Sequence, residues 1–181
     1  MTMARNIEIK VRINDQQKSF VTTIASRLGE GPQRLHQVDT FFNTSEGRLK
    51  LREITGGTSE LISYSREDVA EPRICNYLRF EVEQPIELKK MLEKSVGIRC
   101  VVEKDRDVYL IDQARIHVDQ VQHLGQFLEI EVVLRSDQQE EAGAEIMESL
   151  LEQFQLDSTG FVDKAYADLI AQQLDTDHRS L

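Results

Sequence analysis

The chain has 181 residues, with 22 lysines and arginines against 32 aspartates and glutamates, for a formal net charge of −10. That length suits one domain with a sizeable core, and that charge argues against a nucleic-acid surface, which needs clustered external cations. Cys75 and Cys100 make neither a disulfide framework nor a zinc pattern, no apolar run reaches membrane-spanning length, and no signal-peptide pattern opens the chain. The expectation is a cytoplasmic protein with no nucleic-acid or membrane partner.

Asn6 to Ile13 alternates without a break: Ile7, Ile9, Val11 and Ile13 face one way, Glu8, Lys10 and Arg12 the other, as on a half-buried strand. Asn14-Asp15 supplies cap chemistry for a helix over Gln16 to Leu28, which Gly29-Glu30-Gly31-Pro32 ends. A second strand, Gln33 to Asn43, contains Val38-Asp39-Thr40-Phe41-Phe42. Next, Arg48-Leu49-Lys50-Leu51-Arg52 puts three cations on one face. A strand from Glu60 to Arg66 pairs Tyr64 with Arg66, and Glu67 to Ile74 reads as a polar loop. The strand Asn76 to Glu83 then carries Arg79, Glu81 and Glu83 on one side.

A helix is expected over Ile86 to Ser95. Strands follow over Gly97 to Tyr109, with Lys104 and Arg106 sharing a face, and over Ala114 to Val121, with Asp119. The clearest alternation is Phe127 to Leu134. Leu128, Ile130, Val132 and Leu134 make one apolar face. The other holds Phe127, Glu129, Glu131 and Val133, its carboxylates about 7 Å apart at ~3.3 Å of rise per residue. Helices over Gln138 to Phe154 and Val162 to Leu174 complete a single domain, residues 1–174, and 175–181 reads as a polar tail. His36, His117, His123 and His178 are scattered and read as surface or core-edge residues.

Sequential strands with short turns favour an antiparallel meander, and amphipathic helices can cover its apolar face. An open sheet would leave the charged face wet. A closed one would turn it into a polar tunnel without edges. The cations come in same-face pairs, Lys10 with Arg12, Lys50 with Arg52 and Lys104 with Arg106. Gathered inside a cavity, such an array repels itself when empty and favours a polyanion. Glu8, Glu129 and Glu131 could hold a hard divalent cation through oxygen, and cations plus metal-binding carboxylates are what phosphoryl or nucleotidyl transfer requires.

Glu8-x-Lys10, Gly47-Arg48-Leu49-Lys50-Leu51-Arg52, Lys104-x-Arg106, Leu124-Gly125-x-Phe127-Leu128-Glu129-Ile130-Glu131 and Lys164-Ala165-Tyr166 occur in that order along nearly the whole chain. They resemble the CYTH superfamily, or triphosphate tunnel metalloenzymes. The length and Val38-Asp39-Thr40-Phe41-Phe42 lean toward the class IV adenylate cyclase branch. The resemblance implies an α+β, mainly β fold: a closed eight-stranded antiparallel barrel with flanking helices, binding triphosphates with a divalent metal. By position, Glu8, Glu129 and Glu131 would be metal carboxylates, with Mg²⁺ or Mn²⁺. Lys10, Lys50, Arg52, Arg66, Arg79, Lys104, Arg106 and Lys164 would contact phosphate, with Lys10, Arg106 and Glu131 closest to the chemistry. Arg12 and Arg48 would lie at the rim, and Asp39 and Asp119 would serve as supports or in turns.

The family's opening motif is Glu-x-Glu-x-Lys, and here its first position is Asn6. An amide keeps an oxygen ligand but removes a full negative charge. Three functions therefore compete: cyclisation of ATP to cyclic AMP and pyrophosphate, hydrolysis of tripolyphosphate, thiamine triphosphate or a nucleotide, and non-catalytic triphosphate binding. The acidic exterior suits a monomer or a homodimer.

Overall fold

The alternating segments become strands, and a computed structural model, describing residues 4–178, closes eight of them into one antiparallel barrel. The strands are β1 (Ala4–Arg12), β2 (Glu30–Phe42), β3 (Arg48–Ile54), β4 (Ser59–Arg66), β5 (Arg73–Val82), β6 (Ile98–Ile111), β7 (Ala114–Val121) and β8 (Gly125–Val133). The helices are α1 (Asp15–Leu28), α2 (Pro85–Val96), α3 (Glu140–Gln153) and α4 (Tyr166–His178). Around the barrel the order is β1-β5-β4-β3-β2-β6-β7-β8. The expected meander thus occurs as two runs, β2 to β5 and β6 to β8. Pairing of β2 with β6 joins the runs, and β1 closes the ring between β5 and β8.

Period two decides which side chains go inward. The outward apolar set of β1, β7 and β8 (Ile7, Ile9, Val11, Ile116, Val118, Leu128, Ile130, Val132) packs under Val21 and Ala25 of α1 and Met147 and Leu150 of α3. Covering that face removes it from water at roughly 25 cal/mol per Å² of apolar surface. With the outward set fixed, the charged set has nowhere to go but the barrel interior.

Several boundaries differ from the periodicity. Helix α1, capped by a reciprocal box between Asn14 and Gln17, ends at Leu28, and the chain enters β2 at once because Glu30 pairs with Leu110 of β6. Strand β5 begins at Arg73, inside the expected polar loop, where register with β1 sets Arg73 opposite Glu8. Helix α4 begins at Tyr166 rather than Val162, because the preceding segment is tied to β1: Phe161 bridges Val11, and the Val162 N–H donates to the Lys10 carbonyl at 2.9 Å. Helix α4 also runs to His178, past the expected end at Leu174. Residues 179–181 of the expected tail, and the side chains of residues 174–178, His178 included, lie outside what is described. Among the described residues no helix is long and apolar enough to cross a membrane.

Candidate functional site: a charged tunnel in the barrel

The inward side chains surround a cavity of about 120 Å³. Its walls are set by register. Glu8 of β1 faces Glu131 of β8, which faces Arg115 of β7. One pleat along, Lys10 faces Glu129, which faces His117. On the far side Asp39 of β2 sits opposite Arg52 of β3, and Arg106 of β6 opposite Asp119 of β7. The apolar end is built from Phe41, Val102, Val121 and Phe127 with Tyr166 and Ala167 at the start of α4. Arg79 and Glu60, an ion pair at 3.4 Å with the arginine side chain 48% exposed, lie at the opposite ends of β4 and β5 and mark the open mouth.

Buried charge is tolerable only when paired and hydrogen-bonded, and two carboxylates serve that purpose. Asp39, 1% exposed, accepts from Lys50 Nζ at 3.0 Å, Arg52 Nε at 2.7 Å and Lys104 Nζ at 2.9 Å. Burial pushes its carboxyl up, but Arg52, then Lys104 and Lys50, outweigh this and hold it well below the usual carboxylate range. Asp119, equally buried, accepts from Arg106 Nε at 2.7 Å and from the Tyr166 hydroxyl at 2.8 Å. Arg106 also donates to Glu129 Oε2 at 2.7 Å, and Lys10 Nζ to Glu129 Oε1 at 3.1 Å. Burial works upward on Glu129 too, and Lys10 leads the groups that hold it well below its ordinary value.

Several cations thus share few anions, and the shortage shows at Lys104. Burial is the largest effect on it, reinforced by Arg106, Arg52 and Lys50 and opposed by Asp39, and its ammonium falls to about 7. Lys50 is lowered as well, by burial and then by Arg52. A polyanion would supply the missing countercharge.

Of the expected phosphate contacts, Lys10, Lys50, Arg52, Arg66, Arg79, Lys104 and Arg106 all line the cavity. Lys164 does not: it lies half-buried on the strap before α4, and Ala165 and Tyr166 take the lining positions. Arg12 is exposed at the rim, donating to the Leu124 carbonyl at 2.8 Å, and Arg48 is tied to Asp68 and Asp168. Of the expected metal carboxylates, Glu129 and Glu131 face each other's space, whereas Glu8 is turned to Arg66 at 3.1 Å and Arg73 at 3.6 Å. Burial, and next the charge of Glu129, raise the Glu8 carboxyl above its ordinary value.

The histidines are where the sequence expectation needs correcting. His117 is not at a surface or core edge; it is 5% exposed, on the inner side of β7. Its ring nitrogen, Glu129 and Glu131 offer ligand atoms all within 4.8 Å of one another, the cluster among the described residues that could hold a cation. Arg115, His117 and Asp119 alternate on one face of their strand, the same signal that identified the other linings. Asn6 also lines the cavity, 3% exposed, with Oδ1 unpartnered. Ile62, Tyr64 and Tyr77 add an apolar and aromatic wall from β4 and β5, which the alternation did not separate from ordinary core.

This architecture has counterparts. "Putative adenylate cyclase MJ0240" from Methanocaldococcus jannaschii is 25% identical over 176 residues, spanning 90% of this chain and 97% of its own length. The PH1012 protein from Pyrococcus horikoshii OT3 has the same fold at a TM-score of 0.79 and 24% identity, covering 91% of this chain and 98% of its own. "Putative adenylyl cyclase HpAC1" from Hippeastrum, described as revealing a dominant triphosphatase activity, matches at a TM-score of 0.63 and 12% identity, with 90% of this chain and 91% of its own covered. The family model for the CYTH domain matches residues 4–166, and the chain belongs to that family.

Proposed function

We propose that the tunnel binds the triphosphate of a nucleotide and, with Mg²⁺ or Mn²⁺, converts ATP to cyclic AMP and pyrophosphate. The observation that carries this reading is the convergence of Lys10, Lys50, Arg52, Lys104 and Arg106 with Glu129 and Glu131 in one cavity inside the barrel. Buried, preorganised cations stabilise charge developing on a leaving polyphosphate far better than solvated ones do. Asp39 and Asp119 hold Arg52 and Arg106 in fixed bidentate geometry, so little reorganisation is needed as charge develops.

Glu129 and Glu131, with Glu8 opposite on β1, are the carboxylates that would hold the divalent cation, and the unpartnered Asn6 Oδ1 beside them fits a missing electropositive partner. When bound, that cation polarises phosphoryl oxygens as a Lewis acid. Ile62, Tyr64 and Tyr77 offer the base and ribose an apolar wall between the cations and the mouth. In the cyclisation the 3′-oxygen bonds to the α-phosphorus and the bond to the bridging oxygen breaks. Pyrophosphate departs with the electron pair, and the hydroxyl proton passes to water.

The second reading is hydrolysis of a triphosphate in the same tunnel, favoured by the fold shared with HpAC1, for which triphosphatase activity is described. Product analysis with ATP and with tripolyphosphate, each in Mg²⁺ and Mn²⁺, separates the two. Cyclic AMP with pyrophosphate supports the cyclase. Orthophosphate, released chiefly from tripolyphosphate, replaces it with the hydrolase. Tight polyphosphate binding without turnover reduces the protein to a binding module.

A further inference from the structure

The acidic side chains of the tunnel alone would describe an all-oxygen cation site, but the buried imidazole in their midst changes its chemistry. His117 Nδ1 lies 3.7 Å from Glu129 Oε2 and 3.8 Å from Glu131 Oε1, beyond hydrogen-bond distance of either. It has no hydrogen-bond partner, in a residue 95% withdrawn from water by its 5% exposure. A buried ring nitrogen left unpaired between two carboxylates is costly unless something binds there.

Lys10 and Arg106 already donate to the two oxygens of Glu129, and Arg115 stands 3.6 Å from Glu131 Oε2. A metal ion would take the lone pair of the ring nitrogen and draw on the second lone pair of each carboxylate oxygen. An octahedral ion with ligands at about 2.1 Å spaces neighbouring donors roughly 3.0 Å apart and opposite ones roughly 4.2 Å apart. The observed 3.7 and 3.8 Å lie between these two spacings, so the three side chains already converge and small side-chain rotations bring them to ligand spacing.

We propose that His117 is a direct metal ligand, forming with Glu129 and Glu131 a one-imidazole, two-carboxylate site that selects a first-row transition ion such as Mn²⁺ over Mg²⁺. Imidazole nitrogen suits transition ions, whereas Mg²⁺ is a hard ion that keeps oxygen ligands and several waters. The register makes the set: His117 and Glu129 are direct cross-strand partners on β7 and β8, and Glu131 is the next inward residue on β8. The inference deepens the metal-assisted reading above, and its test omits nucleotide so that the two can fail separately.

Mn²⁺ alone is added to the full-length protein, and electron spin echo spectroscopy reads nitrogen coupled to the bound ion, with calorimetry giving affinities for Mn²⁺ and Mg²⁺. The wild type is expected to show directly coordinated imidazole nitrogen and to prefer Mn²⁺. His117→Gln should lose the nitrogen coupling and weaken Mn²⁺ binding by at least ~10-fold, with Mg²⁺ affinity little changed. Bound Mn²⁺ without nitrogen coupling in the wild type overturns the assignment, as does failure of the wild type to bind Mn²⁺ at all. An unchanged Mn²⁺ preference in His117→Gln does so too. Because the wild-type spectrum alone decides, a variant that fails to fold does not protect the proposal. Nitrogen coupling without any turnover would leave this site standing and remove the enzyme reading instead.

Discussion

Lys104 shows in one side chain what the tunnel lacks. Its ammonium is held 2.9 Å from Asp39, yet that carboxylate is divided among three cations, and burial brings the lysine to about 7. In the free protein it is therefore mostly neutral at about pH 8, while an incoming triphosphate favours its charged form. Binding of tripolyphosphate near pH 8 should take up close to one proton. The uptake should fade toward pH 6, where Lys104 is already charged. Calorimetry in two buffers of different ionisation enthalpy measures this, and Lys104→Met should abolish it. Heats independent of buffer would mean that Lys104 enters binding fully protonated. Asp39 gives the complementary prediction. Asp39→Asn leaves Lys50, Arg52 and Lys104 facing one another without a shared anion, and breaking a buried pair of this kind costs about 3–5 kcal/mol. A urea midpoint shifted by less than the equivalent of about 1 kcal/mol would show these cations to be solvated rather than buried.

At the level of elements, position along a strand was readable and the neighbour across the sheet was not. Alternation placed Leu128, Ile130 and Val132 under the helices and Glu129 and Glu131 inside, because period two is a property of one strand. Which charge meets which depends on register and on strand order, and β1 lies between β5 and β8 for reasons no local pattern carries. That is why the ion pairs of Glu8 with Arg66 and Arg73 went unread, Arg73 lying in an apparent loop. It is also why His117 looked like a stray histidine until β7 was laid against β8. The seam of α1 and β2 is a case where the sequence marked the place but not the cause. Gly29 was legible as a helix stop, yet what demands glycine is proximity: a Cβ there would lie 2.0 Å from the Leu110 carbonyl oxygen of β6. Backbone cannot step aside as a side-chain tip can, so Gly29→Ala should destabilise by about 3 kcal/mol, the upper part of the usual overpacking range. Gly143→Ala on α3 is the contrast. Its nearest contacts are the side-chain ends of Leu134 and Ile7, and the gain in helix propensity of about 1 kcal/mol offsets part of the clash. Equal losses at the two sites in denaturant unfolding would contradict the proximity argument.

Across the whole molecule, charge is sorted by location. The chain carries −10, yet eight cationic and five acidic side chains line the tunnel, so the interior is electropositive within an acidic shell. Mutual repulsion among buried cations weakens the empty barrel, and a ligand that supplies anions along the tunnel should tighten it. Ligand at about 100 times its Kd adds ~2.7 kcal/mol to the folded state. For a domain of this size each kcal/mol raises Tm by roughly 2–4 °C. Tripolyphosphate near saturation should therefore raise Tm by roughly 5–11 °C, whereas orthophosphate at the same ionic strength spans too few of the cations to match it. The comparison separates two origins of stabilisation, because salt screening acts on the acidic exterior whatever the anion's shape. Equal shifts from both anions would assign the effect to that exterior. A large difference would place it among Lys10, Lys50, Arg52, Lys104 and Arg106, where a chain of linked phosphates meets several cations at once.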